Sequence, residues 1–567
     1  MDTRHSKNEV GAIEADNEMP AEIPVLIIGG GPVGLFAAIM LAHHGIRSLL
    51  VEQHPGTSIY PKARFINART MELFRALELE QTVRDAAVPT AKIRHAIWGR
   101  SLAGEELARR AIETILPEFV KEWSPTFGCD TSQEVLEPIL LAHARKLKPV
   151  RIRFGTQLVN LSQSEANVTA TLVHRASGRV REIRAQYLIG ADGAHSQVRE
   201  ALGINSLGPE LVSYFVNNLF HADLSRWVGD RSINLCYSMQ REAPGVLLAI
   251  DGKERWAFQS LYYPDNGQRA EDFTPERCVQ LIRAAVGVPD LPLELIHSTP
   301  WQTVAKVAER FGDRRVFLVG DAAHEIPPAG GFGMNTGIHE AHNLAWKLAA
   351  VVKGWASPTL LETYDRERMP VGRWIAEQTL QSVASLLRVT AQSMQPGGEP
   401  HSLGMSLGRV ELFHEHGLVF GATYESSAII PDGASPTQVA NPTTDYRPNV
   451  HPGSRAPHVW LEREGRQIST LDLFGTGFVL LTGTSGEAWC ASARQAAHNL
   501  NVPLDAYTIG LGSNLRSVED SWRSLYDVEG DGVVLIRPDG HVAWRRQTLV
   551  PEPATELDRV LRTILRR

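Results

Sequence analysis

After a polar start, residues 23–28 form an apolar run that breaks at Gly29-Gly-Gly-Pro-Val-Gly34 and resumes with helical character over residues 35–44; residues 47–52 read as a second strand. This is a β-loop-α-β unit. Two later apolar runs end in similar turns: residues 187–190 enter Ala191-Asp192-Gly193, and residues 315–319 enter Gly320-Asp321-Ala322-Ala323-His324. A Pro/Gly-rich loop over residues 325–333 follows the last turn, and a helix is expected from about Thr336 to Lys353. Between these runs the pattern changes. Residues 255–263 (RWAFQSLYY) alternate with a period of two and are followed by a Pro-Asp-Asn-Gly turn, the habit of an antiparallel strand.

The pattern predicts a mixed α/β and α+β chain. A Rossmann-like domain is expected from residues 23–87, 126–208 and 300–394, and an antiparallel-sheet domain from residues 88–125 and 209–299. Residues 395–457, rich in Gly, Pro, Ser and Thr, read as an extended connection, and residues 458–567 as a smaller α/β unit. Residues 1–22 read as a flexible tail without the apolar core of a signal peptide.

Composition narrows the function classes. The chain has 567 residues, 43% of them hydrophobic and 21% charged, with 57 basic against 64 acidic residues for a net charge of −7. Interspersed charge offers no basic face for nucleic acid. No stretch reaches the roughly 18 uninterrupted apolar residues of a membrane span. The four cysteines, Cys129, Cys236, Cys278 and Cys490, form no CxxC pair, which argues against a disulfide framework or structural zinc and for a reducing compartment. A cytoplasmic protein is expected, with neither nucleic acid nor membrane as partner.

The candidate chemistry lies in the turns. In Gly29-x-Gly31-x-x-Gly34 the first glycine permits a tight turn, the second lets backbone approach a pyrophosphate, and the third lets helix and strand pack closely. The helix N-terminus supplies free N–H groups, and Glu52, 18 residues beyond Gly34, can accept from ribose hydroxyls. That set predicts dinucleotide binding without separating NAD from FAD. The other turns do separate them. Asp321 can bind a ribityl chain, and the segment from Pro327 and Pro328 to Gly333, Met334 and Asn335 can run its backbone along a flavin ring. Asp192-Gly193 marks the remaining turn.

These segments, GGGPVGL (29–35), PKARFINARTMELF (61–74), SQEVLEPIL (132–140), YLIGADGAHSQVR (187–199) and the long run from Gly320 to Ala349, resemble the single-component FAD-dependent aromatic hydroxylases. That family includes para-hydroxybenzoate and phenol hydroxylases, and the aromatic polyketide hydroxylases are the nearest branch. The resemblance implies noncovalent FAD, NADPH or NADH as reductant, O2, and oxygen transfer to an aromatic, phenol-like substrate through a flavin C4a-hydroperoxide. It places Gly29, Gly31 and Gly34 on the pyrophosphate, Glu52 on the adenosine ribose, and Arg69 and Gln133 on the dinucleotide. Asp192 and Gly193 fall at the turn shared by FAD and nicotinamide, Asp321 on the ribityl chain, and Gly333 to Asn335 at the ring edge. Where many relatives read Pro-Arg-Ala, this chain has Pro61-Lys62-Ala63-Arg64, which keeps the charge without assuring a bidentate contact. No catalytic base emerges, and a homodimer stays an open expectation. A small-phenol hydroxylase, a Baeyer–Villiger-type oxygenase and a flavoprotein that only sequesters aromatic ligands are the alternatives.

Other residues carry two readings each. Trp256, Phe258, Ser260 and Tyr262 share one strand face, either a wall of the substrate pocket or cover for the sheet. Trp301 either closes the pocket or packs where domains meet. His324 either acts near the flavin or makes a structural hydrogen bond. His339 and His342 are three residues apart where a zinc helix needs four, so no metal is expected. In the C-terminal unit, residues 489–494 (WCASAR) resemble a thioredoxin active-site turn with Ala493 in place of the second cysteine, so no dithiol cycle is possible.

Overall fold

A computed structural model describes residues 19–209, 213–393, 403, 406–407, 411–435, 437–513, 515–518, 521–528 and 530–567. Most of the expected tail, residues 1–18, and part of the expected connection lie outside these. The first sheet has five parallel strands at its centre, in the order Val316–Leu318, Val180–Gly190, Glu22–Ile28, Ser48–Val51 and Val150–Arg153. Helices Pro32–His43 and Phe332–Val352 cover it, and Val25, Leu26 and Ile27 are fully buried. Burial on both faces is why these strands read as unbroken apolar runs.

The second sheet has seven strands, in the order Glu294–Thr303, Ser213–His221, Arg255–Tyr262, Gly245–Ala249, Ile233–Ser238, His95–Gly99 and Glu106–Ala111. All pairs are antiparallel except Ile233–Ser238 with His95–Gly99. Helix Pro275–Val286 packs on one face: Trp256 and Phe258 share a buried cluster with Ile282, Ala285 and Val286.

The C-terminal unit is thioredoxin-like, with strands Leu504–Ile509, Phe478–Gly483, Val533–Ile536 and Val542–Arg546 in that order and helices Glu487–Leu500 and Pro553–Leu565. Cys490 lies in the first turns of Glu487–Leu500 and is buried. No described helix is long and apolar enough to cross a membrane.

Candidate active site

The parallel register sets Ile28 beside Gly190 and Gly190 beside Leu318. The three turns predicted to carry chemistry therefore leave adjacent strands at the same carboxyl edge, where open α/β sheets bind ligands. Gly29 has φ +110°, and a Cβ there would stand 2.2 Å from the Ala191 carbonyl oxygen. At Gly34 a Cβ would stand 2.1 Å from the Gly29 carbonyl oxygen. These two glycines lock the first turn to its neighbours. Gly31 and Gly193 are different: a Cβ at either meets nothing within 4 Å. Both face open space, as backbone does where a ligand is to approach. Helix Pro32–His43 has no side-chain cap, so its first amides stay available to phosphate. Glu52 accepts from the backbone N–H groups of Gly30 (2.7 Å) and His54 (2.8 Å), which aims its carboxylate across the Gly-rich turn.

The second turn is held from within. Asp192 accepts from Ser196 Oγ (2.6 Å) and Val198 N (3.1 Å), and burial raises its pKa. Arg199 then clamps the second turn to the third, donating to the carbonyls of Ala194 (2.8 Å) and Ala322 (2.9 Å). In the third turn Gly320 takes φ +64° and donates to Glu340 Oε2 at 2.8 Å, while Glu340 Oε1 meets His324 Nε2 at 2.8 Å. That contact gives His324 its structural reading. Asp321 is accessible to solvent although protein surrounds it. Burial pushes its carboxyl above the usual range, and His324 and Lys62 partly offset this. Lys62, the lysine in the Pro-Arg-Ala position, thus bears on Asp321 through charge.

Helix Phe332–Val352 begins earlier than expected, because Gly330 (φ +73°) and Gly331 (φ +68°) turn the chain straight into it. Gly333, Met334 and Asn335 are its first turn rather than loop, and a Cβ on Gly333 would lie 3.9 Å from Asp321 Oδ1. Helix start and ribityl-type carboxylate are therefore neighbours. Pro328 is exposed on the loop before it. The Asn335 side chain is committed locally, donating to Phe65 O (2.8 Å) and Gly331 O (2.7 Å) and accepting from Asn67 N (3.1 Å).

Some expected residues fall elsewhere. Arg69 donates to Glu72 Oε2 (2.8 Å) and to the Asp539 carbonyl (3.1 Å), so it joins the C-terminal unit to the first domain instead of reaching the turns. Gln133 bonds Glu137 at 2.6 Å and stays beside Ala63, next to Lys62. Trp256 and Phe258 lie under helix Pro275–Val286, and Tyr262 packs on Phe273 with ring centroids 5.3 Å apart. Their face is covered by that helix, which corrects the pocket-wall expectation. The opposite face, with Tyr237, Met239, Val246 and Leu248, clusters instead with Phe65 and Ala329 of the flavin-type loop region. Trp301 packs on Phe215 of its own sheet and remains 36% exposed. His339 meets Thr70 Oγ1 at 3.1 Å. Sequence reasoning missed Glu340, Arg199 and the buried Arg64–Asp130 pair; a carboxylate one residue after His339 was the only available hint of the first.

A cleft of about 1230 Å³ lies at the outer edge of the parallel sheet by Tyr187, Arg315 and Phe317, away from the turns.

Comparison with known proteins gives two family matches, to "FAD binding domain" over residues 22–379 and to "Aromatic-ring hydroxylase, C-terminal" over residues 449–567. A putative polyketide hydroxylase of Streptomyces halstedii is 42% identical over 560 residues, covering 96% of this chain and 97% of the relative. Aklavinone 12-hydroxylase RdmE of Streptomyces purpurascens is 38% identical over 561 residues, with 96% and 99% coverage. Among solved structures, the flavin-dependent monooxygenase PieE in complex with FAD and substrate superposes with TM-score 0.89 at 34% identity, covering 96% of this chain and 99% of that one. A ternary complex of aklavinone-11 hydroxylase with FAD and aklavinone gives TM-score 0.86 at 36% identity, with 97% and 100% coverage.

Proposed function

Because this chain belongs to the FAD-dependent aromatic-ring hydroxylases, we propose that it hydroxylates a polycyclic, phenol-bearing polyketide with NADPH or NADH and O2. The observation that carries this reading is the alignment of three turns at one sheet edge, with Gly31 and Gly193 open and Asp321 accessible beside them. Those features fit FAD: open backbone for a pyrophosphate, a carboxylate for hydroxyls, and a helix start for an anionic ring.

When bound, FAD supplies hydride acceptance and activation of O2. The chain's own residues bind and orient. Gly31 and the start of helix Pro32–His43 would hold the pyrophosphate, Glu52 the ribose and Asp321 the ribityl hydroxyls, with Lys62 close enough to influence Asp321. Positive dipole at the start of Phe332–Val352 would favour negative charge on a flavin ring held there. The apolar face with Met239, Val246 and Leu248 excludes water and offers a wall against which an extended aromatic system can lie. The polyketide hydroxylases among the relatives support a polycyclic over a small phenol.

The test is a panel of mono- and polycyclic phenols, scored for stimulated NADPH oxidation and for products heavier by one oxygen atom. The yellow holoenzyme is expected to oxygenate a polycyclic member. Hydrogen peroxide as the sole product with every phenol would falsify the hydroxylase reading, and colourless protein in excess FAD would remove its premise.

A further inference from the structure

Glu415 immediately precedes the short helix His416–Phe420 and is only 2% exposed. The histidines on either side both turn to Glu113: His414 Nδ1 lies 2.7 Å and His416 Nε2 3.3 Å from its carboxylate. Glu415 is directed instead at the loop before helix Phe332–Val352, where a Cβ on Gly330 would come within 3.2 Å of Glu415 Oε1. Its carboxylate accepts backbone hydrogen bonds at Glu415 and Phe413, and no side-chain hydrogen bond reaches it among the described residues.

The charged and titratable groups around it come from three elements. Strand Glu106–Ala111 contributes Arg110, which donates to Leu407 O at 2.6 Å. Its own segment contributes Glu411, with Glu113 beyond Arg110. Strand Ile233–Ser238 contributes Tyr237, whose pKa is raised by burial and by the charge of Glu415. Burial pushes Glu415 up to about 7, against the two backbone hydrogen bonds and Arg110, which lower it. A carboxyl poised there exchanges protons near neutral pH. Tyr237 stands on the apolar face that includes Met239 and Val246, so Glu415 lies where the flavin-type loop meets the wall for an aromatic ring.

We propose that Glu415 takes the phenolic proton of the substrate during hydroxylation. The inference rests on the hydroxylase reading above. The aryl O–H bond breaks, its electron pair stays on oxygen, and the proton passes to a Glu415 carboxylate oxygen. The phenolate is richer in electron density at its ortho and para carbons, which receive the oxygen atom. The ring's C–H proton leaves in the water formed from the second oxygen atom of O2; aromaticity is regained and the phenolic oxygen again carries the negative charge. It then takes its proton back, and Glu415 is returned as carboxylate.

The test uses the FAD holoenzyme and 2-hydroxyanthraquinone, a dye with a single phenol whose visible band moves on ionisation. Bound to the wild type, the dye is expected to titrate in two steps, because two acids share one site. With Glu415→Gln it is expected to titrate in one, and turnover of an oxygenated phenol is expected to fall roughly 100-fold. Glu415→Asp, which keeps the acid, is expected to retain two steps. A single step in the wild type overturns the proposal without any variant. Identical curves for wild type and Glu415→Gln overturn it too, including the case in which neither perturbs the dye. The titration needs no turnover, so it fails separately from the hydroxylase reading, which stands or falls on the oxygenated product.

Discussion

At the residue scale, the glycines of the first turn divide by what surrounds them. Gly34→Ala drives a methyl group to 2.1 Å from the Gly29 carbonyl oxygen and should destabilise the protein by about 1–3 kcal/mol, read as a lower unfolding midpoint. Gly31→Ala meets no protein atom within 4 Å and has an ordinary φ of −71°, so apoprotein stability should hold. FAD affinity should instead drop, measured by titrating FAD into apoprotein; unchanged affinity would show that no ligand approaches there. The cysteines make a second prediction. All four are buried, and burial pushes the Cys490 thiol up to about 11. Native protein should therefore give almost no fast reaction with a disulfide reagent at pH 8, and denatured protein should give four thiols. Roles tied to backbone shape, such as Gly29 and Gly34, were legible in the sequence because only glycine permits that approach. Arg69 was not, since the partner that claims it, the carbonyl of Asp539, is 470 residues away.

At the scale of elements, period and face were legible separately. Alternation correctly put Trp256, Phe258 and Tyr262 on one side of a strand. Which side met the cleft depended on helix Pro275–Val286, whose apolar residues needed that face. The start of helix Phe332–Val352 was misplaced because Gly and Pro read as loop, whereas here paired positive-φ glycines turn the chain straight into the helix. The segment around Glu415 makes the pH prediction for this scale. His414 and His416 hold Glu113 down to about 2, against burial, which raises it. Since this folded value lies below the ordinary 4.5, the contribution is complete above about 4.5 and is lost as pH falls towards about 2. Proteolysis near residues 411–420 should accelerate in that acid window ahead of global unfolding, and Glu113→Gln should remove the pH dependence.

At the scale of the whole molecule, the C-terminal unit is joined to the first domain through buried charge. Glu367 receives Lys347 Nζ (2.7 Å), Asn343 Nδ2 (2.8 Å) and both terminal nitrogens of Arg537 (2.7 and 2.8 Å), and Arg537 also pairs with Asp539. Lys347, Glu367 and Arg537 have fully buried side chains. Removing one partner strands the others without water, so Glu367→Ala should cost about 3–5 kcal/mol in chemical unfolding. A loss below 1 kcal/mol would mean that the units are joined by apolar packing alone. Because Asn343, Trp346 and Lys347 belong to the helix whose start borders Asp321, the network also ties the C-terminal unit to the cleft.

The sequence by itself determined the α/β and α+β class, the three turns, FAD as cofactor and the aromatic-hydroxylase family. The class, the turns and the cofactor rest on local rules: glycine where side chains cannot fit, apolar runs where strands are buried on both faces, and helix starts after tight turns; the family rests on the resemblance of whole segments to known hydroxylases. Only the tertiary structure decided that the turns share one edge, which face of the second sheet packs towards Phe65 and Ala329, and that Glu340 and Arg199 hold the turns while Glu415 faces the loop at Gly330. Those facts depend on contacts between residues distant in the chain, and a single sequence records the chemical type of such residues but not who stands opposite them.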